Sequence, residues 1–517
     1  MALAQVRGVV LSGLAGAMVR VEVAVGDGLP SVGVIGLPDT SVNEARWRAR
    51  CAIEAMDAPW PNRRITVSLS PAELRKQGSG LDLPIAIGVL AAIERVPAEL
   101  LGSTTFIGEL GLDGSVRPSR GALAGAMAAR EAGLARVVVP SATAVELARL
   151  RGIDIEIADH LREVVEVLHG RPSGRTLPPQ IPGRMVEEPD LMDVRGHRIG
   201  RLALEVAAAG GHHAALVGAP GIGKSLLAAR LSGLLPDFDD DTALEVAAIH
   251  GLVGATSRAA DLRPPVSSPH HAASAAAVLG SVQGARAVPG SVSLAHRGVL
   301  ILDEAPEFAR PVLEGLRQPL ESGTLALARA GWSGVLPAAF QLVLTANPCP
   351  CGYRLGGSPA ASATASAAAS AACTCASAAV RRYAARLSGP IMDRVDIRLV
   401  VHRPTDAELS SSDAGESSAV VRDRVVLARE RARSRLGETG VSCNARIPGR
   451  LLRRAFAPDA DGAALLQDLE RRGQSLRGPE RVLRMAWTLA DLAGRERPGA
   501  DDIATAAALR GAGSAWM

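Results

Sequence analysis

Gly218-Ala-Pro-Gly-Ile-Gly-Lys224-Ser225 decides the fold of this chain. Its glycines, Gly218, Gly221 and Gly223, let backbone N–H groups turn inward around an anion. A helix expected from Ser225 to about Leu234 aims its positive end at the same point, and the Ser225 hydroxyl is a ligand for Mg²⁺. Upstream, Ala214-Ala-Leu-Val217 is a short apolar run that ends at the loop, as a buried parallel strand does. Lys224 and Lys76 are the two lysines among the 57 basic residues of the 517-residue chain. Arginine serves nearly everywhere else, yet the compact ammonium stands where a point charge must reach between β- and γ-phosphate oxygens. The segment reads as a loop that binds a nucleoside triphosphate such as ATP.

Gly298-Val-Leu-Ile-Leu302 is a second buried-strand run, and it ends in Asp303-Glu304. An acid at the carboxyl end of a neighbouring strand is where a further Mg²⁺ contact belongs, and the next carboxylate polarises a water toward the γ-phosphate. Asp303 is the expected metal-side residue and Glu304 the expected general base.

Two or three domains are expected at this length, with 47% hydrophobic residues to fill their cores. A net charge of +4 permits a nucleic-acid partner without arguing for one. No uncharged apolar stretch reaches transmembrane length. Gly8 to Val19, after Arg7, imitates a signal-peptide core. The strict alternation of Val19-Arg-Val-Glu-Val-Ala-Val25 instead makes it the two-strand start of a folded domain, and the chain is read as cytoplasmic with no membrane partner.

Residues 1–170 combine strands (Val19 to Val25, Arg64 to Leu69) with helices, one announced by a capping box at Ser41-Val-Asn-Glu44, which implies an α/β or α+β domain. Residues 171–189 turn Pro-, Gly- and Arg-rich and read as a linker. The nucleotide-binding unit follows over 190–402. Residues 403–517 carry helical patterns, notably Asp423 to Leu436 and Gly478 to Arg495, and read as a helical lid. Ser358 to Ala372, nearly all Ala, Ser and Thr, reads as a surface insertion.

Four of the six cysteines pair as Cys349-Pro-Cys351 and Cys373-Thr-Cys375. Two such arms suit a tetrahedral structural Zn²⁺ at the base of the insertion, with reduced thiols or a disulfide as the competing readings. Cys51 and Cys443 read as ordinary thiols. Between Thr324 and Val343 the pattern is strand (Leu325 to Ala330), turn (Gly331-Trp-Ser-Gly334), strand (Val335 onward).

Three stretches, Ser291-Val-Ser-Leu-Ala-His-Arg-Gly-Val-Leu-Ile-Leu-Asp-Glu-Ala-Pro-Glu307, Leu316-Arg-Gln-Pro-Leu-Glu321 and Ala346-Asn-Pro-Cys-Pro-Cys-Gly352, resemble the YifB/ComM family of magnesium-chelatase-like AAA+ ATPases. Ile35-Gly-Leu-Pro-Asp39, Arg64-Ile-Thr-Val and Asp82-Leu-Pro-Ile-Ala86 extend the resemblance to nearly the whole chain. The resemblance implies a ribosomal S5 domain 2/Lon-protease-like first domain, an AAA+ P-loop core and a helical C-terminal lid. It also implies a homo-hexameric DNA helicase that drives branch migration, like family members of the ComM type. Helicases of this clade insert a hairpin before the sensor strand into the ring's pore, which makes Arg329 and Trp332 candidates for DNA phosphate and base faces, against a packed Trp332 and a solvated Arg329, with Arg258, Arg263, His270 and His271 as further DNA candidates. By the same resemblance, Asn347 positions the attacking water, Arg394 in Ile391-Met-Asp-Arg-Val-Asp396 is an arginine finger for a neighbouring subunit, and Arg477 is the lid sensor, with Arg481 as its alternative. Arg263-Pro-Pro-Val-Ser-Ser-Pro-His-His271 departs from the family's Arg-Pro-Phe-Arg-Ala-Pro-His-His, and Ser291 stands where Glu is common.

The hydrolysis of ATP is shared with protein-remodelling and chelatase-type AAA+ machines, which form the rival class. A Lon-like first domain also raises proteolysis, which needs a serine and a lysine base. Alignment on Gly78-Ser-Gly-Leu-Asp82 and Gly121-Ala-Leu123 puts Gly80 or Ser79 at the serine position and Leu123 at the lysine position. Leucine is no base, so the chain is read as not an active protease.

Overall fold

The computed structural model describes residues 2–511 apart from 13–14, 38, 75, 77–79, 172, 176, 178–187, 255–260, 284–285, 330–331, 355–372, 388, 407, 409–414 and 473–476. The Ala/Ser insertion, most of the linker, Ser79 and Arg258 lie outside these residues.

Strands β1 (Ala2–Ser12) and β2 (Ala15–Gly26) pair antiparallel along their whole length, so the segment that imitates a signal core is a hairpin. Val19, Val21, Val23 and Val25 point inward from β2, the period-2 pattern of a sheet with one face covered. β3 (Ser31–Ile35) and β4 (Arg64–Ser70) extend one side, while β5 (Thr104–Phe106) begins the other. Two-residue strands β6 (Glu109–Leu110) and β7 (Val116–Arg117) form a separate pair, and β8 (Arg136–Val139) and β9 (Asp154–Ile157) complete the large sheet. Its order is β3-β4-β2-β1-β5-β8-β9. The helix Asp82–Ala92 is buried along nearly its whole length against this sheet, beside the helix Thr40–Glu54. The capping box expected at Ser41 is not the cap. Asp39 sits extended just before the first turn and accepts the Val42 N–H at 2.8 Å, which leaves Glu44 to pair with Arg48.

The second sheet contains β10 (Ala214–Val217), β11 (Val266–Ser267), β14 (Val299–Leu302), β17 (Gln341–Ala346) and β18 (Ile397–Val400). Two hairpins interrupt the chain between them, β12 (Gly280–Gln283) with β13 (Arg286–Pro289), and β15 (Thr324–Arg329) with β16 (Trp332–Pro337). The order is β11-β14-β17-β10-β18, and all neighbours are parallel. β10, β14 and β17 are buried at every position, which is why they read as unbroken apolar runs. Because the strands are parallel, the loops after β10, β14 and β17 gather at one edge of the sheet. Trp332 belongs to β16 and pairs in register with Arg329, instead of lying in a four-residue turn over Gly331 to Gly334.

C-terminal helices Ser418–Leu436 and Arg477–Ala493 pack on the helix Arg198–Gly210, with Val421, Val425, Leu483 and Trp487 in one core with Leu204 and Ala208, while Ala460–Arg472 and Ala500–Arg510 pack against Arg477–Ala493. The first of these starts at Ser418, five residues before Asp423, because the Ser417 side chain caps it. On the other side, Leu244 and Ala247 of the helix Asp240–Gly251 share a core with Leu123 and Leu147 of the first sheet's domain. Ion pairs Arg130–Asp241 (3.1 Å) and Arg149–Asp240 (3.0 Å) flank that contact. Among the described residues no helix is long and apolar enough to cross a membrane.

Candidate nucleotide-binding site

The loop after β10 needs glycine at its two ends. A Cβ on Gly218 would collide with Ile222 and the Val401 carbonyl, and Gly223 has φ +97°, a conformation that favours glycine. The helix Lys224–Arg230 begins at the loop itself and gives way to a 3₁₀ turn at Ser232–Leu234, shorter than the run expected to reach Leu234 unbroken. Lys224 Nζ donates to the Gly218 and Ala219 carbonyls, both at 2.8 Å, and to Asn347 Oδ1 at 3.1 Å. Burial lowers the Lys224 pKa from its ordinary value, and the charges of Asp303 and Glu304 act against that shift.

Asp303 and Glu304 follow β14, two strands from the loop across β17. Ser225 Oγ donates to Asp303 at 2.9 and 3.0 Å, so the hydroxyl and the carboxylate form one all-oxygen donor set, the kind a hard divalent cation takes. Thr345, inside β17, was not among the candidates. Its Oγ1 donates to Asp303 and accepts the Glu304 N–H at 3.0 Å, fixing the Asp303 carboxylate and the Glu304 backbone from the neighbouring strand. A buried hydroxyl in the otherwise apolar run Leu342-Val-Leu-Thr-Ala346 needs a partner, and that was its one signal in the sequence. Glu304 itself has φ +53°, and its half-exposed side chain meets His271 Nδ1 at 3.5 Å. His271 thus faces the acid pair, with the His270 ring 4.2 Å away. Arg263 is held by Glu188 and Asp237, each at 2.8 Å, and ties their segments together.

Arg394 lies elsewhere. Ile397 pairs with Ala214 at the start of β10, whereas Val400 pairs with Val217 at its end, so the segment before β18 stands at the amino edge of the sheet. The phosphate loop is at the carboxyl edge, a strand length of about 10 Å away or more. Arg394 forms an ion pair with Glu321 and lines a cavity of about 570 Å³ together with Arg297, Arg446, Arg481 and Arg484. Asp396 braces this cavity: buried, it accepts from His212 Nδ1 at 2.8 Å and pairs with Arg481. Burial works to raise the Asp396 pKa, but the His212 hydrogen bond and the charges of His212 and Arg481 outweigh it and hold the carboxyl below its ordinary value. Arg477 opens the helix that carries Arg481, and its side chain is outside the described residues. The side chains of Arg329 and Trp332 are also outside them.

The four cysteine sulfurs lie within 4.8 Å of one another. Cys349 Sγ is 3.3 Å from Cys351 and 3.6 Å from Cys373, and Cys351 is 3.6 Å from Cys373. All four are free thiols. Zn–S bonds of about 2.3 Å would set tetrahedral sulfurs about 3.8 Å apart, so the cluster is compatible with Zn²⁺.

Three magnesium chelatase family descriptions match the chain: "Magnesium chelatase, subunit ChlI" over residues 190–409, "Subunit ChlI of Mg-chelatase" over 21–143 and "Magnesium chelatase, subunit ChlI C-terminal" over 415–510. An uncharacterized protein of Mycobacterium tuberculosis is 44% identical over 519 residues, covering 99% of this chain and 100% of that protein. YifB of Escherichia coli is 40% identical over 92% of this chain and 90% of its own length. Competence protein ComM of Haemophilus influenzae is 36% identical over 94% and 93%. The chain belongs to the YifB/ComM family. It is a magnesium-chelatase-like AAA+ ATPase, with ATP and Mg²⁺ as the ligands its phosphate loop and acid pair suit.

Proposed function

We propose that this ATPase is a homo-hexameric ring motor that acts on branched or single-stranded DNA, as a helicase or branch-migration factor in recombination or natural transformation. The observation that carries the ring is the separation of Arg394 from its own phosphate loop. An arginine at the opposite edge of the sheet cannot serve the γ-phosphate of its own subunit, but head-to-tail packing brings that edge to a neighbour's loop. The arginine cavity then receives the neighbour's triphosphate, with Arg481 or Arg477 as the sensor from the lid.

In this reading Lys224 and the N–H groups of the glycine-rich loop hold the β- and γ-phosphates, and Ser225 with Asp303 holds Mg²⁺. The metal neutralises charge that develops on the transferring phosphoryl group. Glu304 takes the proton from the attacking water, Asn347 orients that water, and Thr345 holds the Asp303 carboxylate and the Glu304 backbone. His271, against Glu304, belongs to the segment between β11 and the hairpins, so movement there has a direct path to the base. The four cysteines hold a structural zinc ion.

DNA is supported by the name of the competence relative, by the resemblance to ComM-type helicases and by the β15–β16 hairpin, which carries Arg329 and Trp332 and leads into β17. The test is the ATPase rate of the purified protein with and without forked DNA, and its ability to move a branch point in a synthetic junction. Stimulation that weakens with salt is expected, and Arg329→Ala/Trp332→Ala should lose it. Should DNA neither bind nor stimulate at low and moderate salt, the substrate is a protein and the chelatase-type remodeller takes its place.

A further inference from the structure

The two cysteine arms grip the catalytic edge from two sides. The first arm is continuous with β17: Asn347 follows the strand, Cys349 is fully buried two residues on, and Gly352 donates its N–H to the Cys349 carbonyl at 2.9 Å. Gly352 has φ +86°, and a Cβ there would press on the Pro220 ring at 2.5 Å, so this knuckle rests directly on the phosphate loop. The second arm, Cys373 and Cys375, leads into the helix Ser377–Ala384. From that helix the buried Tyr383 hydroxyl meets the Asn347 backbone amide, and Arg386 just beyond it bonds the Pro306 carbonyl and Glu307, each at 2.9 Å. Pro306 and Glu307 stand two and three residues after Glu304. One arm therefore carries Asn347 over the loop, and the other holds the back of Asn347 and the segment behind the acid pair.

We propose that a zinc ion on Cys349, Cys351, Cys373 and Cys375 is the fastener that joins these arms and positions Asn347 against Lys224, so that metal occupancy governs hydrolysis more than nucleotide binding. The proposal rests on the reading of Asn347 as the residue that orients water. The cysteines are positioning residues: none touches nucleotide, and they act through Asn347 and the segment after Glu304. A tetrathiolate site is a rigid crosslink with fixed sulfur spacing. Without it, no bond of comparable rigidity joins the two arms among the described residues, where thiol contacts and the Tyr383 hydrogen bond to Asn347 remain. A misplacement of about 1 Å in an orienting group costs up to about 10²-fold in rate.

The experiment compares full-length wild type, Cys373→Ser/Cys375→Ser, Cys375→His and Asn347→Ala. Each is measured for zinc by elemental analysis, for affinity toward a fluorescent ATP analogue, and for kcat. Wild type should carry about one zinc per chain, and the double variant almost none, with kcat reduced about 10- to 100-fold and nucleotide affinity within about twofold of wild type. Cys375→His supplies another zinc ligand and should restore both metal and rate. If the double variant does not fold, zinc is withdrawn from folded wild type with a thiol-reactive mercurial and a chelator while circular dichroism monitors structure, and the same loss of kcat is expected. Metal-free wild type refutes the site. A zinc-depleted, folded protein with full kcat refutes the fastener. Full kcat in Asn347→Ala refutes the role of Asn347 and, with it, the catalytic consequence, while the zinc content of wild type independently decides whether the metal is there.

Discussion

Arg394→Ala should abolish hydrolysis while leaving each subunit able to bind ATP, and activity should return when this variant is mixed with Lys224→Ala. The register of β18 on β10 puts Arg394 at the amino edge and the phosphate loop at the carboxyl edge of the same sheet, so one subunit cannot join them. An arginine aimed at the γ-phosphate is worth on the order of 10³-fold in rate or more, about 4 kcal/mol. Arg446, Arg481 and Arg484 share the cavity and keep its positive potential, so binding between subunits should survive the substitution. In a randomly mixed ring, an interface is competent when an Arg394→Ala subunit supplies Lys224 and a Lys224→Ala subunit supplies Arg394. That arrangement occurs at about one interface in four, so an equal mixture should recover about a quarter of the wild-type rate per site. The assay is steady-state ATP turnover at several mixing ratios, with differently tagged variants co-purified to prove that rings are mixed. Co-purifying but inactive mixtures, or an Arg394→Ala protein that turns over ATP at the wild-type rate, would refute action in trans.

Glu304→Gln should retain ATP binding and stop turnover, while Lys224→Ala should lose nucleotide affinity itself; equilibrium binding and single-turnover hydrolysis separate the two, and wild-type turnover by Glu304→Gln would remove it from the role of base. Thr345→Val keeps the shape of a buried side chain but deletes its bonds to the Asp303 carboxylate and the Glu304 backbone N–H; with a bond to a charged group worth about 1.5–3 kcal/mol, kcat should fall about tenfold or more and the Mg²⁺ requirement should rise, and an unchanged Mg²⁺ titration would count against it. Glu146 lies near the contact with the helix Asp240–Gly251, its carboxylate 3.9 Å from where a Cβ on Gly251 would stand. Burial raises its pKa to about 7. The folded state then holds more protons than the unfolded chain between about pH 4.5 and 7, so Glu146 should cost stability progressively as pH rises through that window, on the order of 2–3 kcal/mol once ionised. Glu146→Gln should flatten this part of the stability–pH curve and raise the denaturation midpoint at pH 8; chemical denaturation of both proteins at pH 5 and pH 8 checks the sign.

The strands and loops of the nucleotide edge were legible from local pattern. A parallel strand buried on both faces has to be apolar throughout, and a backbone that closes around phosphate has to be glycine-rich, so Ala214 to Val217, Gly218 to Ser225 and the acids after Leu302 all announce themselves in short windows. Spacing likewise brought the four cysteines forward as a set. Local pattern failed at element ends: Asp39, standing extended before the first turn, is the cap that accepts the Val42 N–H, and Trp332 joins β16 opposite Arg329. What only the tertiary structure decided are relations between distant segments. That Thr345 fixes the Asp303 carboxylate and the Glu304 backbone, that His271 faces Glu304, that Arg263 is occupied by Glu188 and Asp237, and that Arg394 stands across the sheet from its own phosphate loop all follow from strand order and register. A sequence specifies which groups are present and how each local stretch folds. Which of them come within 3 Å depends on the parallel stacking of β11-β14-β17-β10-β18, where non-consecutive strands become neighbours and the two ends of every strand face different partners.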